Sequence, residues 1–289
     1  MITIRSFEEL VKLEEASRVV LETLDAVEKA VAPGVTTEEL DRIAEAEIRR
    51  QGARPAFVGY RGYPKTLCTS INDEVVHGIP GKRSLKEGDI VGVDCGAVVD
   101  GYYGDAARTI PVGRITSERA RLLETTRRAL EAGIAAAQPG NRVSDIGAAV
   151  ESLALASGYG VVRDFVGHGV GTALHEEPQI PNYGPGGRGG ILKSGMVIAI
   201  EPMFNLGGAE VTVDGDGWTV RTRDRSASAH FEYTVTIEPQ GAVILGLGRL
   251  QRGMGLMEAG PIKAGEIPAL PAPARPAVAS AGRAEAVGE

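Results

Sequence analysis

Between residues 6 and 158 the apolar positions fall into two similar sets. Leu10, Leu13, Val20, Leu24, Val27 and Val31 recur at helical spacing behind Ser6 and Glu9, a capping box, and the run stops before Pro33-Gly34. Thr36 with Glu39 repeats the capping signal, and Leu40, Ile43 and Ile48 predict a shorter helix closed by Gly52. The scheme then recurs. Residues 117–137 read as a long helix ending before Pro139-Gly140, and Val143, Ile146, Val150 and Leu153 as a shorter one ending at Gly158.

The offsets are nearly constant. Gly34 and Gly140 stand 106 residues apart, as do Gly52 and Gly158. Lys86-Glu87-Gly88 precedes a predicted strand, Asp89–Asp94, and Lys193-Ser194-Gly195 precedes another, Met196–Glu201; both Gly88 to Gly195 and Asp94 to Glu201 span 107 residues. Four turn signals in register predict two related α/β halves, a pseudo-two-fold domain with helices backing a sheet and an acid entering its centre from equivalent strands. The pattern decays after Ile244. The Pro- and Ala-rich stretch of 248–289 (PALPAPARPAVASAGRAEAVGE) cannot bury enough apolar surface to offset its ordering entropy, so the domain is set at 1–247 and the remainder is expected to be a flexible tail.

The acids fall in unusual places. Asp94 closes the apolar IVGVD, and Glu201 closes VIAIE. In HFEYTVTI, Phe231, Tyr233, Val235 and Ile237 alternate onto one face, while Glu232 heads the other; His230, two residues before Glu232, is placed on that same face by alternation. Asp105 sits in a Gly-rich segment, DGYYGDAARTI, read as leading into the next strand. A single acid on a buried strand is ordinarily a hydrogen-bond acceptor, and a single histidine among glycines, like His168 in FVGHGVG, an ordinary core residue. Four such acids with one such histidine make a different case, because each buried carboxylate is costly unless a cation or hydrogen bonds compensate it.

Charge counting supports two ions. The four acids carry four negative charges when ionised, which two divalent cations balance; a single ion leaves an excess that raises carboxyl pKa values. Oxygen-rich ligation with one imidazole suits Co, Fe, Mn or Zn without choosing among them. Two such ions about 3.5–4 Å apart can activate a shared water for hydrolysis. HExxH and GxSxG motifs are absent, and the two cysteines, Cys68 and Cys95, form neither a disulfide framework nor a CxxC zinc site. His77, before a Gly-Ile-Pro turn, and His175, in ALHEEP, are candidates to donate to a peptide carbonyl or an oxyanion; His230 is a candidate to tune Glu232.

Composition narrows the rest. A net charge of −7 and a pI near 5.3 argue against a broad nucleic-acid footprint. The opening MITIRSFEELVKLEEA is charged where a signal peptide would be apolar, and no run of 18 apolar residues follows, so a cytoplasmic protein without membrane contact is expected. Aromatics at 4% predict a core of Val, Ile, Leu and Ala.

In order and spacing, GYRGYPKTLCTSINDEVVHGIP (59–80), DIVGVDCG (89–96), DGYYGDAART (100–109), FVGHGVGTALHEEPQIPNY (165–183), MVIAIEPMF (196–204) and DGWTVRTRDRSASAHFEYT (216–234) resemble the bacterial type I methionine aminopeptidases, over roughly residues 4–245. The resemblance implies the pita-bread fold, α/β with two pseudo-symmetric halves and helices backing a curved, largely antiparallel sheet. It implies that Asp94 ligates one ion, that Asp105 and Glu232 bridge two, and that His168 and Glu201 complete the other. Glu201 would also accept a proton from the attacking water, His77 would contact the substrate backbone near the scissile bond, and His175 would stabilise the tetrahedral intermediate. Tyr60, Tyr63, Cys68 and Trp218 match residues lining the methionine pocket. Phe57, Leu174 and His230 depart from common family residues, the first two at that pocket. The implied substrates are nascent polypeptide N-termini with a small second residue, handled by a monomer, and a transient ribosome contact is compatible with that task. Two other readings fit the sequence less well. A prolidase-like relative usually carries a large N-terminal domain, whereas here the first repeat begins within about ten residues of Met1. A silent binding module would have lost ligands that this chain keeps.

Overall fold

The computed structural model describes residues 2–248, so the expected tail lies outside the described residues apart from Gly248. Among the described residues four α-helices form where capping and periodicity place them: α1 Phe7–Ala30, α2 Thr37–Arg50, α3 Ser117–Ala136 and α4 Val143–Ser157. Ser6 and Thr36 each complete a capping box, with Glu9 and Glu39 respectively, satisfying N–H groups that the first helical turn leaves unpaired. Among the described residues no helix is long and apolar enough to cross a membrane.

Among the described residues there are fifteen strands. The first half contributes β1 Arg54–Pro55, β2 Leu67–Ile71, β3 Glu74–Val76, β4 Ile90–Val99 and β5 Tyr102–Pro111. The second contributes β6 Gly160–Val161, β7 Gly167–Gly169, β8 Glu176–Ile180, β9 Val197–Ile200 and β10 Met203–Asn205, then β11 Val211–Val213, β12 Val220–Thr222, β13 Ser228–His230, β14 Glu232–Glu238 and β15 Gly241–Ile244. The main sheet has nine strands in the order β1-β4-β5-β14-β9-β7-β8, with β2 on β4 and β15 on β14, and its pairings are antiparallel. Two three-stranded sheets, β13-β10-β6 and β11-β12-β3, flank it.

The repeat is structural. Gly34 and Gly140 share φ of 94°, Gly52 and Gly158 have 74° and 72°, and Gly88 and Gly195 have 90° and 86°. These left-handed values need glycine. Equivalent hydrogen bonds run from Gly34 N to Leu85 O at 2.8 Å and from Gly140 N to Leu192 O at 2.9 Å. The two halves therefore meet at the β5–β14 pairing, with one helix pair backing each.

Three local readings are corrected. Asp105 lies within β5, not ahead of it, because the segment from Tyr102 already pairs with β4. Glu201 falls just past the end of β9. His230 and Glu232 do not share one strand: the chain breaks at Phe231, and His230 pairs with Met203 of β10 while Glu232 pairs with Ala107 of β5.

Helix α1 lies directly on β5. Its Leu13, Val20, Leu24 and Val27 are fully buried, and a Cβ at Gly104 would come within 2.6 Å of the Ala16 carbonyl carbon and the Ser17 nitrogen. Backbone cannot swing aside as a flexible side chain does. Gly104→Ala should therefore cost about 1–3 kcal/mol of overpacking, seen as a Tm several degrees lower in thermal unfolding. An unchanged Tm would mean that the α1–β5 contact has slack.

Candidate metal centre

Strand register brings the acids together. Across the sheet, Asp94 pairs with Ala107, and Ala107 pairs on its other side with Glu232. Asp105 is two residues from Ala107 and so shares its face, opposite to Gly104 and α1. The pairing of Tyr233 with Ile200 places Glu201 next to Glu232, one residue beyond β9. His168 enters the same face from β7, whose Gly169 pairs with Ile198. Four acids and one imidazole from five stretches of chain thus converge on one side of the sheet.

The cluster is closely packed. Ligating atoms of Asp105, His168 and Glu232 all lie within 4.8 Å of one another. The His168 Nε2 is 3.5 Å from Glu201 Oε1 and 4.0 Å from Asp105 Oδ2. Its other nitrogen, Nδ1, is 3.0 Å from the Gly169 carbonyl oxygen. A carbonyl only accepts, so the ring proton sits on Nδ1 and the Nε2 lone pair faces the carboxylates, the arrangement a metal ligand needs. The glycines around His168 serve space rather than unusual dihedrals. A side chain at Gly167 would run into the Ala199 carbonyl, one at Gly169 into the Glu177 carbonyl, and one at Gly171 into Arg5, whereas none of the three has positive φ.

Supporting contacts fix the acids. Thr234 Oγ1 donates to the Asp105 carbonyl at 2.7 Å, and Asn182 Nδ2 donates to the Glu201 carbonyl at 2.9 Å. His230 Nε2 lies 3.7 Å from Glu201 Oε2 and 4.0 Å from Glu232 Oε2, beside both although it belongs to another sheet.

Electrostatics test whether these residues suit a cation. Burial, and then repulsion from its neighbours, holds Asp105 well above the usual carboxylate range; Glu201 and Glu232 are raised for the same reasons. Asp94 is pushed up to about 7 by burial. Burial also lowers His168 and His230 to about 3 and His77 to about 4, so none offers positive charge at neutral pH. Among the described residues no lysine or arginine pairs with the four acids. Asp94 Oδ1, Asp105 Oδ1, Glu232 Oε1 and His230 Nε2 are buried without a hydrogen-bond partner. Buried oxygens without donors, in an uncompensated acidic cluster, fit divalent cations.

A cleft of about 350 Å³ opens over this floor and is lined by all five of these residues together with His77 and His175. Its side wall is apolar: Phe57, Tyr63, Cys68 and Leu174 are buried in one cluster, with Tyr60 and Trp218 packed against it. Tyr63 is held there by donating to the carbonyls of Leu67 and Gly78 at 2.9 and 3.0 Å, and its ring meets Trp218 edge-on at 5.0 Å. His77 follows β3 with φ of 62°, its ring 5.4 Å from Phe165. The His175 ring is 4.1 Å from that of His168, and burial lowers its pKa, with the nearby Arg61 charge adding to the effect. Phe165, Val166, Asp164, Gln179 and Arg61 also line the cleft, although the sequence pattern does not mark them as site residues. The glycine-rich run after Phe165 was the signal available for it.

The model of metallopeptidase family M24 matches residues 11–239, and the chain belongs to that family. A divalent metal cofactor follows from that membership and agrees with the buried cluster. Within the family, the chain is similar to methionine aminopeptidases. It is 50% identical over 248 residues to the methionine aminopeptidase of Clostridium acetobutylicum, covering 86% of this chain and 99% of the relative. The crystal structure of methionine aminopeptidase from Rickettsia prowazekii matches with a TM-score of 0.84 at 42% identity, covering 86% of this chain and all of that one (100%). The prolidase from Pyrococcus furiosus shares the fold at a TM-score of 0.68 and 26% identity, but the match spans 84% of this chain and only 65% of the prolidase.

The raised carboxyl pKa values have a consequence for stability. In the metal-free protein these groups bind protons more tightly folded than unfolded, where carboxyls titrate near about 4. The stabilisation from that uptake is full below the unfolded value and is lost as pH rises through the folded one, about 7 for Asp94. Divalent ions replace the protons. The gain in Tm on adding Mn or Co to chelator-treated protein should therefore grow as pH rises through that value. Thermal unfolding with and without metal across pH tests this, and a gain independent of pH would contradict it.

Proposed function

We propose that this protein is a cytoplasmic metalloaminopeptidase that removes N-terminal methionine from nascent chains and peptides, preferring a small second residue. One observation carries the proposal: an acidic floor suited to divalent ions adjoins a closed apolar wall within a single cleft. The floor supplies hydrolysis, and the wall takes one unbranched apolar side chain. Similarity to methionine aminopeptidases supports methionine as that residue.

Two ions are proposed, Co, Fe, Mn or Zn. Asp94 would hold one, His168 and Glu201 the other, with Asp105 and Glu232 shared. The chemistry such ions supply is an activated water and a polarised carbonyl. The chain's own residues do the rest. Glu201 would take the proton from the attacking water. His175 would donate to the carbonyl oxygen as charge develops on it, and His77 would donate to the peptide backbone beside the scissile bond. Phe57, Tyr60, Tyr63, Cys68, Leu174 and Trp218 would enclose the methionine side chain. Leu174 and Phe57, the two departures at the pocket, would adjust side-chain discrimination by roughly 1–3 kcal/mol.

Hydrolysis of Met-Ala-Ser, measured with metal content in the same sample, should be abolished by chelation and restored by divalent metal. Faster cleavage of Ala-Pro-Ala would instead favour prolidase-like specificity. Two variants separate the assigned roles. Glu232→Ala should lower both metal stoichiometry and kcat, and calorimetry showing two ions still bound at wild-type affinity would remove its bridging role. His175→Ala should keep its metal and lose roughly 100- to 1,000-fold in kcat, the cost of one oxyanion donor. Unchanged turnover would remove that assignment.

A further inference from the structure

The Tyr60 hydroxyl lies 2.8 Å from His175 Nδ1, and the two rings stack with centroids 5.3 Å apart and planes 24° from parallel. Both partners sit on braced segments. Tyr60 opens a short 3-10 turn, Tyr60–Gly62; Arg61 and Gly62 within it and Gly59 just before it have positive φ, and the Gly59 N–H donates to the Tyr63 carbonyl at 2.8 Å. The loop before His175 closes on Glu176, whose carboxylate accepts from the N–H groups of Thr172 and Ala173 at 2.8 and 3.2 Å. Glu176 is in turn paired with Arg5, a buried guanidinium from the N-terminal segment. The contact between phenol and imidazole is thus held from both sides.

A neutral imidazole carries one N–H, and the partner of one nitrogen decides which nitrogen holds it. A phenol O–H is a stronger donor than a neutral imidazole N–H, and a bare imidazole nitrogen a stronger acceptor than a phenol oxygen, so the favoured hydrogen bond runs from the Tyr60 O–H to Nδ1. The single ring proton is then on Nε2, the nitrogen left for a substrate oxygen. We propose that Tyr60 is a positioning residue that holds His175 as the Nε2–H tautomer, so that the imidazole offers the scissile carbonyl a donor instead of a lone pair. Tyr60 thereby has a task beyond forming the pocket wall. The inference rests on the role proposed above for His175.

The test uses zinc-loaded protein, zinc being diamagnetic, with nitrogen-15 in its histidines. His175 is assigned by the signals that His175→Asn removes. At mildly alkaline pH, wild-type His175 should show a bare Nδ1 and a protonated Nε2. Tyr60→Phe keeps the stacked ring and deletes only the hydroxyl. It should shift His175 towards the Nδ1–H form and lower kcat by roughly two- to tenfold, in proportion to the rings lost to that tautomer, while KM stays close to wild type. A protonated Nδ1 in the wild type, an unchanged tautomer in Tyr60→Phe, or a rise in KM with kcat held would each overturn the proposal. Full activity in His175→Ala would defeat instead the reading on which it rests, so the two failures are distinguishable.

Discussion

Four carboxyl groups face one another on a buried sheet surface, with no lysine or arginine among the described residues to neutralise them. The rest of the architecture follows from that constraint. Ionised together they would repel at short range in a low-dielectric setting, and protonated together they would be poor ligands. Only mobile positive charge from outside the chain lets all four ionise without unfolding the strands that carry them. Stability and chemistry are therefore linked through the same occupancy. Losing any one of the four acids would change the charge balance that the other three share.

The fold meets this constraint by duplication. Each half brings a helix pair, a glycine-closed turn and a strand that carries an acid, Asp94 in the middle of β4 and Glu201 just past the end of β9. The β5–β14 pairing joins the halves so that Asp94 and Glu232 flank Ala107 from opposite sides. Helices cover the other face tightly enough that Gly104 has no room for a side chain. Backing of that kind restrains Asp105 along the strand, since a sheet pressed by a helix on one face bends little towards the other. Precision at the site thus originates in packing one layer away.

The parts of this arrangement readable in the sequence are those governed by local rules. Capping boxes at Ser6 and Thr36 fix helix starts through backbone N–H groups that need acceptors, and matched glycines at Gly34 and Gly140 fix turns through dihedrals that other residues avoid. The acids announced themselves because their neighbours are apolar. What the sequence concealed depends on contacts between distant segments. Gly104 made Asp105 look like part of a loop, although the glycine is there to admit α1. His230 and Glu232 are two residues apart, and alternation alone would align them, yet the break at Phe231 sends them to different sheets and tertiary folding returns His230 Nε2 to within 4.0 Å of Glu232. Phe165 and the Arg5–Glu176 pair gave no periodic signal, since their partners are supplied by other segments.

Two neighbouring histidines show how backbone and side-chain partners can divide chemistry between identical rings. His168 and His175 stand 4.1 Å apart, yet their Nδ1 atoms meet opposite kinds of group. The Gly169 carbonyl can only accept, which places a proton on His168 Nδ1 and turns a lone pair towards the acids. The Tyr60 hydroxyl can donate, which on the proposal above leaves His175 Nδ1 bare and its proton on Nε2. One ring then suits a cation and the other a developing anion, with neither needing to be charged. Burial favours this solution, because it disfavours imidazolium at both positions while leaving the tautomers to be chosen by a single hydrogen bond each. On the proposed roles the apolar wall and the acidic floor would share a residue: Tyr60 would enclose the substrate side chain and also govern His175, so a change made there for substrate choice would be felt in turnover.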